Sequence, residues 1–199
     1  MASPIHSAIK LGNLNRVRTL LNSGTNVNTR DNNRWTALMF AAWFGNLAAV
    51  KLLLDRGANV NARNNIGSTP IINATYRGHL TVVRELLDRG ANINARDDEG
   101  MTALIWAAYN GRLAIVKELL KRGANTNGIK TGSFVPENVR NAIMKHKAGM
   151  TIAKYKKASN LRRRAAAAKA LGNIKTPHTR KSLPRNITRT IMSMMSPRK

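Results

Sequence analysis

The sequence predicts an all-α solenoid of helix-turn-helix units with short β-turn fingers, followed by a basic C-terminal tail. Three observations predict it. First, the stretch from Asp97 to Asn127 has upstream copies at a fixed shift of 33 residues. Thr102 falls on Thr69, Thr36 and Ser3, and Gly123 falls on Gly90, Gly57 and Gly24. A fixed period of this size marks a repeat array. Second, Gly111 and its counterparts Gly78, Gly45 and Gly12 divide each copy into two helix-forming stretches. Third, Ile115, Val116, Leu119 and Leu120 recur at helical spacing in the second stretch. One such unit cannot bury its apolar face alone, whereas stacked units share a continuous core.

Within the unit, Thr102 is a hydroxyl N-cap, bracketed by Met101 and Trp106. Ala103 to Asn110 can make about two helical turns. Gly111 stops them, because only Gly takes φ > 0 cheaply. Arg112 to Lys121 forms the second helix, and Gly123 ends it. Asn125 and Asn127 then feed a tight turn, where Asn bonds its own backbone. Four units follow, at about 2–30, 31–63, 64–96 and 97–129. The first lacks a finger before its first helix and suits a terminal cap. Its second helix, Leu14 to Asn22, buries Val17, Leu20 and Leu21 and exposes Arg16 and Arg18.

Comparing the copies separates core from surface. Ala41/Ala74/Ala107, Val50/Val83/Val116 and Leu53/Leu86/Leu119 stay the same and hold the stack. The varying finger residues face solvent or a partner: Asn32, Asn33 and Trp35, then Asn65, Ile66 and Ser68, then Asp98, Glu99 and Met101. Arg34 stands where Gly67 and Gly100 stand, so a less tight turn is expected there.

Past Asn127 the repeat decays. Thr131-Gly132-Ser133 reads as a turn, and Pro136 and Glu137 favour helix initiation. Val139, Ile143 and Met144 give one apolar stripe. Residues 130–149 are therefore expected to form a degenerate fifth unit or capping helix, helical from 135 to about 147. A second helix is expected over 150–171, ended by Gly172. Beyond Asn173, with Pro177, Pro184 and Pro197, mostly disorder is expected.

The repeats resemble those of the ankyrin family. The family's T-P-L-H stretch reads Ser3-Pro4-Ile5-His6, Thr36-Ala37-Leu38-Met39, Thr69-Pro70-Ile71-Ile72 and Thr102-Ala103-Leu104-Ile105. The second-helix endings read LLLDRGANVNAR, ELLDRGANINAR and ELLKRGANTNGI. The His of that stretch survives only at His6, so the Thr–His bond expected of the family is missing from three repeats. His79 matches the family's structural Gly-His dipeptide. The resemblance implies a non-enzymatic scaffold or adaptor that binds a protein partner in its concave groove. It also implies where partners dock. Trp43, Tyr76 and Tyr109 share one position near the end of the first helix, which lines that groove. Phe44 and Arg77 follow two of them, and Trp35, Ile66 and Met101 extend the surface. Trp, Tyr and Arg are enriched at interface hot spots. The other reading of the rings is packing between neighbouring repeats.

The formal net charge is +25. Residues 1–129 carry 16 Lys/Arg against 8 Asp/Glu, and residues 130–199 carry 18 against 1. The tail is thus expected to meet nucleic acid or another polyanion. Lys154, Lys156, Lys157, Arg162, Arg163 and Arg164 resemble nuclear-import and nucleic-acid patches. Ser196-Pro197-Arg198-Lys199 resembles a histone-tail motif that enters the minor groove, and it is also a proline-directed phosphorylation pattern. Leu183, Pro184, Ile187, Ile191 and Met195 resemble the opening helix of F-box motifs, which recruit a ubiquitin ligase in many ankyrin proteins of large DNA viruses. The acid that usually follows the Pro is missing. The Asn-rich fingers also resemble viral ankyrin proteins, so a structural role in a virion is a further reading.

There is no cysteine, so disulfides and Cys-type metal sites are excluded. The four His occupy unrelated repeat positions, and no Gly-rich phosphate loop follows a strand. Asp97-Asp98-Glu99 is a solvated acidic turn rather than a cation site. No enzyme activity, cofactor or metal is expected. No apolar run approaches the roughly 18 residues of a membrane span. The acid-free first 30 residues look superficially like a transit peptide, yet Ser3 to Asn28 are in register with the repeats. A cytoplasmic or nuclear protein, monomeric when alone, is expected.

Overall fold

The computed structural model of the protein describes residues 3–129 and 135–170. The chain divides into two units, Met1–Met150 and Thr151–Lys199. Among the described residues there are nine helices and no β-strand. The first eight form four hairpins. They are α1 (Pro4–Lys10) with α2 (Leu14–Asn22), α3 (Ala37–Phe44) with α4 (Leu47–Asp55), α5 (Pro70–Arg77) with α6 (Leu80–Asp88), and α7 (Ala103–Tyr109) with α8 (Leu113–Lys121). The first helices pack in a row, α1 on α3, α3 on α5 and α5 on α7, and the second helices pack in a parallel row behind them.

The helix starts follow the local sequence. Thr36 and Thr102 cap α3 and α7, their hydroxyls accepting from Met39 N and Ile105 N, both at 3.3 Å. Where Pro4 or Pro70 begins the helix, Ser3 and Thr69 make no side-chain cap bond. Asn13 and Asn46 cap α2 and α4 by accepting from Arg16 N and Ala49 N. Gly45 and Gly78 end α3 and α5 at φ 71° and 86°.

The core is the set of positions the copies share. Ala41, Ala74, Ala107, Val50, Val83, Val116, Leu53, Leu86 and Leu119 are all fully buried. Of the three residues expected to be buried on α2, Val17 is, while Leu20 and Leu21 are half-buried against the core. Two polar ladders tie neighbouring repeats together. Asn28, Asn61 and Asn94 accept from the backbone N–H of Asn59, Asn92 and Asn125 in the following repeat, each at 2.8 Å. Behind them, Arg89 pairs with Asp55 and Glu85, while Arg122 pairs with Asp88 and Glu118. The hydrogen bond from Arg122 is the main cause that holds the Glu118 carboxyl below the ordinary carboxylate range.

Four expectations need correction. Arg34 takes φ 60°, close to the 68° and 77° of Gly67 and Gly100. Its N–H bonds the Asp31 carbonyl at 2.9 Å, as Gly67 bonds Asn64 and Gly100 bonds Asp97. The finger is therefore equally tight, and Arg34 bears the left-handed strain a glycine avoids. Ser68 is buried rather than facing solvent. Met144 is 56 % exposed, so the capping stripe is Val139 and Ile143 alone, both fully buried. Finally, one helix, α9 (Glu137–Ala170), stands where two were expected. Gly149 continues that helix without a positive φ, because an isolated glycine weakens a helix without forcing it to stop.

Candidate functional site

The rings lie on the row of first helices and on the fingers above them. The third finger residue of repeat two, Trp35, packs on Phe40 of α3 with centroids 5.0 Å apart. It meets Trp43 edge-on at 5.7 Å. Trp43 stacks on Tyr76 of α5 at 5.8 Å with planes 11° apart. Tyr76 then meets Trp106 of α7 edge-on at 5.3 Å. The chain of contacts thus crosses three repeats. Tyr76 is 40 % exposed and Tyr109 39 %, so part of each residue remains accessible. Trp35, Trp43 and Trp106 are half-buried.

The backbone under the rings is anchored. His79, at the start of α6, donates from Nε2 to the Trp43 carbonyl at 3.0 Å. Its ring lies so close to Gly45 that a Cβ there would sit 2.5 Å from it. Repeat three therefore clamps the end of the helix that carries Trp43. Arg77 places its guanidinium over the Trp43 ring, 4.9 Å from the centroid, and Lys10 places its ammonium over Phe40 at the same distance.

The expected ladder of Trp43, Tyr76 and Tyr109 is only partly assembled. Trp43 and Tyr76 touch, whereas Tyr109 stands outside this chain of rings, and Trp106 takes the corresponding place. The Trp106 indole donates from Nε1 to Asp97 at 2.7 Å, which turns the ring toward the finger. Sequence reasoning used Trp106 only as a helix-start residue. Its signal was the column Ser7, Phe40, Asn73, Trp106, aromatic in two copies of four. Phe44 and Ile66 are exposed, at 45 % and 66 %; Arg77 is exposed and Met101 half-buried.

A cleft of about 240 Å³ opens in repeat three. Trp43, Tyr76 and Trp106 wall it, Ile66, Ser68 and Glu99 stand at the fingers, and Ile72 and Asn73 line it from α5. It exists because Ser68 and Asn73 are small where repeat two has Trp35 and Phe40. No described group of three His, Cys, Asp or Glu could hold a metal ion. The acidic finger is instead engaged internally, with Asp97 accepting from Trp106 and Met101 and Asp98 pairing with Arg63 at 3.1 Å.

The stack, its Asn-closed turns and its ring-bearing first helices agree with a family model for three copies of the ankyrin repeat, which matches residues 2–64 and 59–129. The chain belongs to the ankyrin-repeat family. Ankyrin repeats are generally protein–protein interaction modules, and the family is typically non-enzymatic. Comparison with curated protein sequences gives no match.

Of the basic residues on the C-terminal side of this ankyrin stack, Lys157 is exposed on α9. Lys154, Lys156, Arg162, Arg163 and Arg164 also lie on α9. Arg198 and Lys199 lie outside the described residues, as do the F-box-like Leu183, Pro184, Ile187, Ile191 and Met195. No described helix is long and apolar enough to cross a membrane.

Proposed function

We propose that the protein is an adaptor that holds a protein partner on the first-helix face of its ankyrin stack. The single observation behind this reading is the accessible run of rings, with Tyr76 and Tyr109 each about two-fifths exposed on neighbouring repeats. A monomer rarely leaves such rings uncovered without a use for them. They are also stiff, so little conformational entropy is lost when a partner covers them. Trp43, Tyr76 and Tyr109 form the centre of the docking surface, with Trp35, Phe44, Ile66, Arg77 and Met101 around them. Replacing the three central rings with Ala should abolish partner capture while far-ultraviolet dichroism stays unchanged. Undiminished capture by a folded triple variant would overturn the reading.

A second contact, with a polyanion, is supported by the excess of 18 Lys/Arg over 1 Asp/Glu in residues 130–199. Binding of DNA or RNA should then weaken steeply with salt. It should also depend on residues 150–199. A flat salt response would exclude it.

A further inference from the structure

The row of second helices carries a charge quartet at its later junctions. Between repeats two and three, Lys51 and Asp55 of α4 meet Glu85 and Arg89 of α6. Lys51 pairs with Glu85 at 3.8 Å, and Arg89 pairs with Asp55 at 2.6 Å and Glu85 at 3.2 Å. Between repeats three and four, the same positions hold Arg84, Asp88, Glu118 and Arg122. Arg84 pairs with Glu118 at 3.1 Å, and Arg122 pairs with Asp88 at 2.5 Å and Glu118 at 2.7 Å. At both junctions a glutamate sits between two cations, and the four charges cancel.

The junction between repeats one and two breaks this pattern in one direction only. The corresponding positions are Arg18, Asn22, Leu52 and Arg56. Both cations are kept and both acids are gone. Helix α2 packs on α4 as α4 does on α6. The shared register therefore places Arg18 and Arg56 on either side of Leu52, which stands where Glu85 and Glu118 stand. Arg18 and Arg56 are exposed, and neither makes an ion pair among the described residues. Residues 1–30 contain no acid that could compensate them. Two like charges held at one junction repel each other, and an incoming anion relieves that repulsion. The last junction shows which anion such a pair favours. The Glu118 carboxyl is held below the ordinary carboxylate range, first by the hydrogen bond from Arg122 and then by Arg84.

We propose that the α2–α4 junction binds a carboxylate of an acidic protein segment between Arg18 and Arg56. The incoming Asp or Glu takes the place that Glu85 and Glu118 fill from within the chain. Guanidinium groups suit this task, because their forked donors match the two oxygens of a carboxylate. A nucleic-acid strand fits less well, since its backbone asks for a continuous positive groove. Here Asp55 and Asp88 stand next along the row that begins at Asn22. The junction lies on the second helices, apart from the ring-bearing face, so the proposal does not rest on the docking reading above.

The test uses the full chain at constant ionic strength and follows the side-chain Nε–H resonances of Arg18 and Arg56. The probes are a capped peptide of alternating Glu and Gly, its Gln counterpart, and an oligothymidylate of equal charge. The local readout separates this junction from binding elsewhere on a cationic chain. The Glu peptide should shift both resonances saturably, with an affinity about tenfold or more above that of the Gln peptide. Asn22→Asp with Leu52→Glu installs the acids of the later junctions. It should close the quartet from within and weaken the peptide at least about tenfold, the size of one charge-assisted hydrogen bond. Arg18→Gln changes only an exposed side chain, so it folds whatever the double variant does. It should weaken the response of Arg56 about fivefold, as loss of one of two cations requires. Equal response to the Gln peptide, or an unchanged response of Arg56 in Arg18→Gln, overturns the carboxylate site. So does undiminished binding by a folded double variant. Tighter binding of the oligothymidylate at these two resonances overturns the assignment to a protein segment.

Discussion

Repeat two stacks Trp35 on Phe40 and closes its surface, while repeat three places Ser68 and Asn73 at the same two positions and opens a cleft. Beneath, the two repeats share a core: Ala41 and Ala74, Val50 and Val83, Leu53 and Leu86 are all fully buried. The difference teaches that stacking and recognition use separate columns of the repeat. The columns that stay constant satisfy the neighbouring repeat. Those that vary shape the exposed face, and some also touch a neighbouring repeat, as Phe40 does His6 and Trp106 does Tyr76.

The largest expected effect comes from erasing the difference. The double substitution Trp35→Ser and Phe40→Asn gives repeat two the residues of repeat three. Both rings are half-buried and in contact, so the variant should lose about 2–4 kcal/mol in urea unfolding. A loss below about 1 kcal/mol would mean that the closed face contributes little to the stack. The caps sharpen the comparison at a smaller scale. Thr36 caps α3, whereas the Thr69 hydroxyl is buried without a partner. Thr36→Ala should cost about 1 kcal/mol. Thr69→Ala should change stability by less than about 0.5 kcal/mol, or raise it, since it removes an unsatisfied group.

The smallest effect concerns pH and sets the terminal repeat against the interior. His6 is fully buried, donates from Nε2 to the Thr29 carbonyl at 3.2 Å, and has no partner at Nδ1. Burial, the largest cause, pushes its pKa below 6.5. The folded state thus prefers the neutral ring. Its contribution is fully present above the unfolded pKa of about 6.5 and fades as pH falls toward the lowered folded value. Thermal melting between pH 7.5 and 5 should show a loss that His6→Gln reduces. An identical pH profile in the variant would contradict the assignment.

The fold was legible because its signals are redundant. Capping hydroxyls, stop glycines and apolar spacing all repeat at one period, so errors in one copy are corrected by the others. The site was less legible because it lies where the copies disagree. Ser68 varies between copies, which suggested solvent, yet its finger folds it inward. Trp106 was legible only against Phe40 and Asn73 in its own column. Arg34 was misjudged because the finger's hydrogen bonds outweigh the strain of one left-handed residue. Met144 was misjudged because a stripe read from spacing alone cannot say how much neighbouring surface is available to cover it.

The most direct test of the docking face is a hydrogen-exchange footprint of the chain with its captured partner. Protection should gain most on α3, α5, α7 and the fingers at Trp35, Ile66 and Glu99. The second helices, α4, α6 and α8, should be nearly unchanged. Protection centred on α4, α6 and α8 instead would contradict the account.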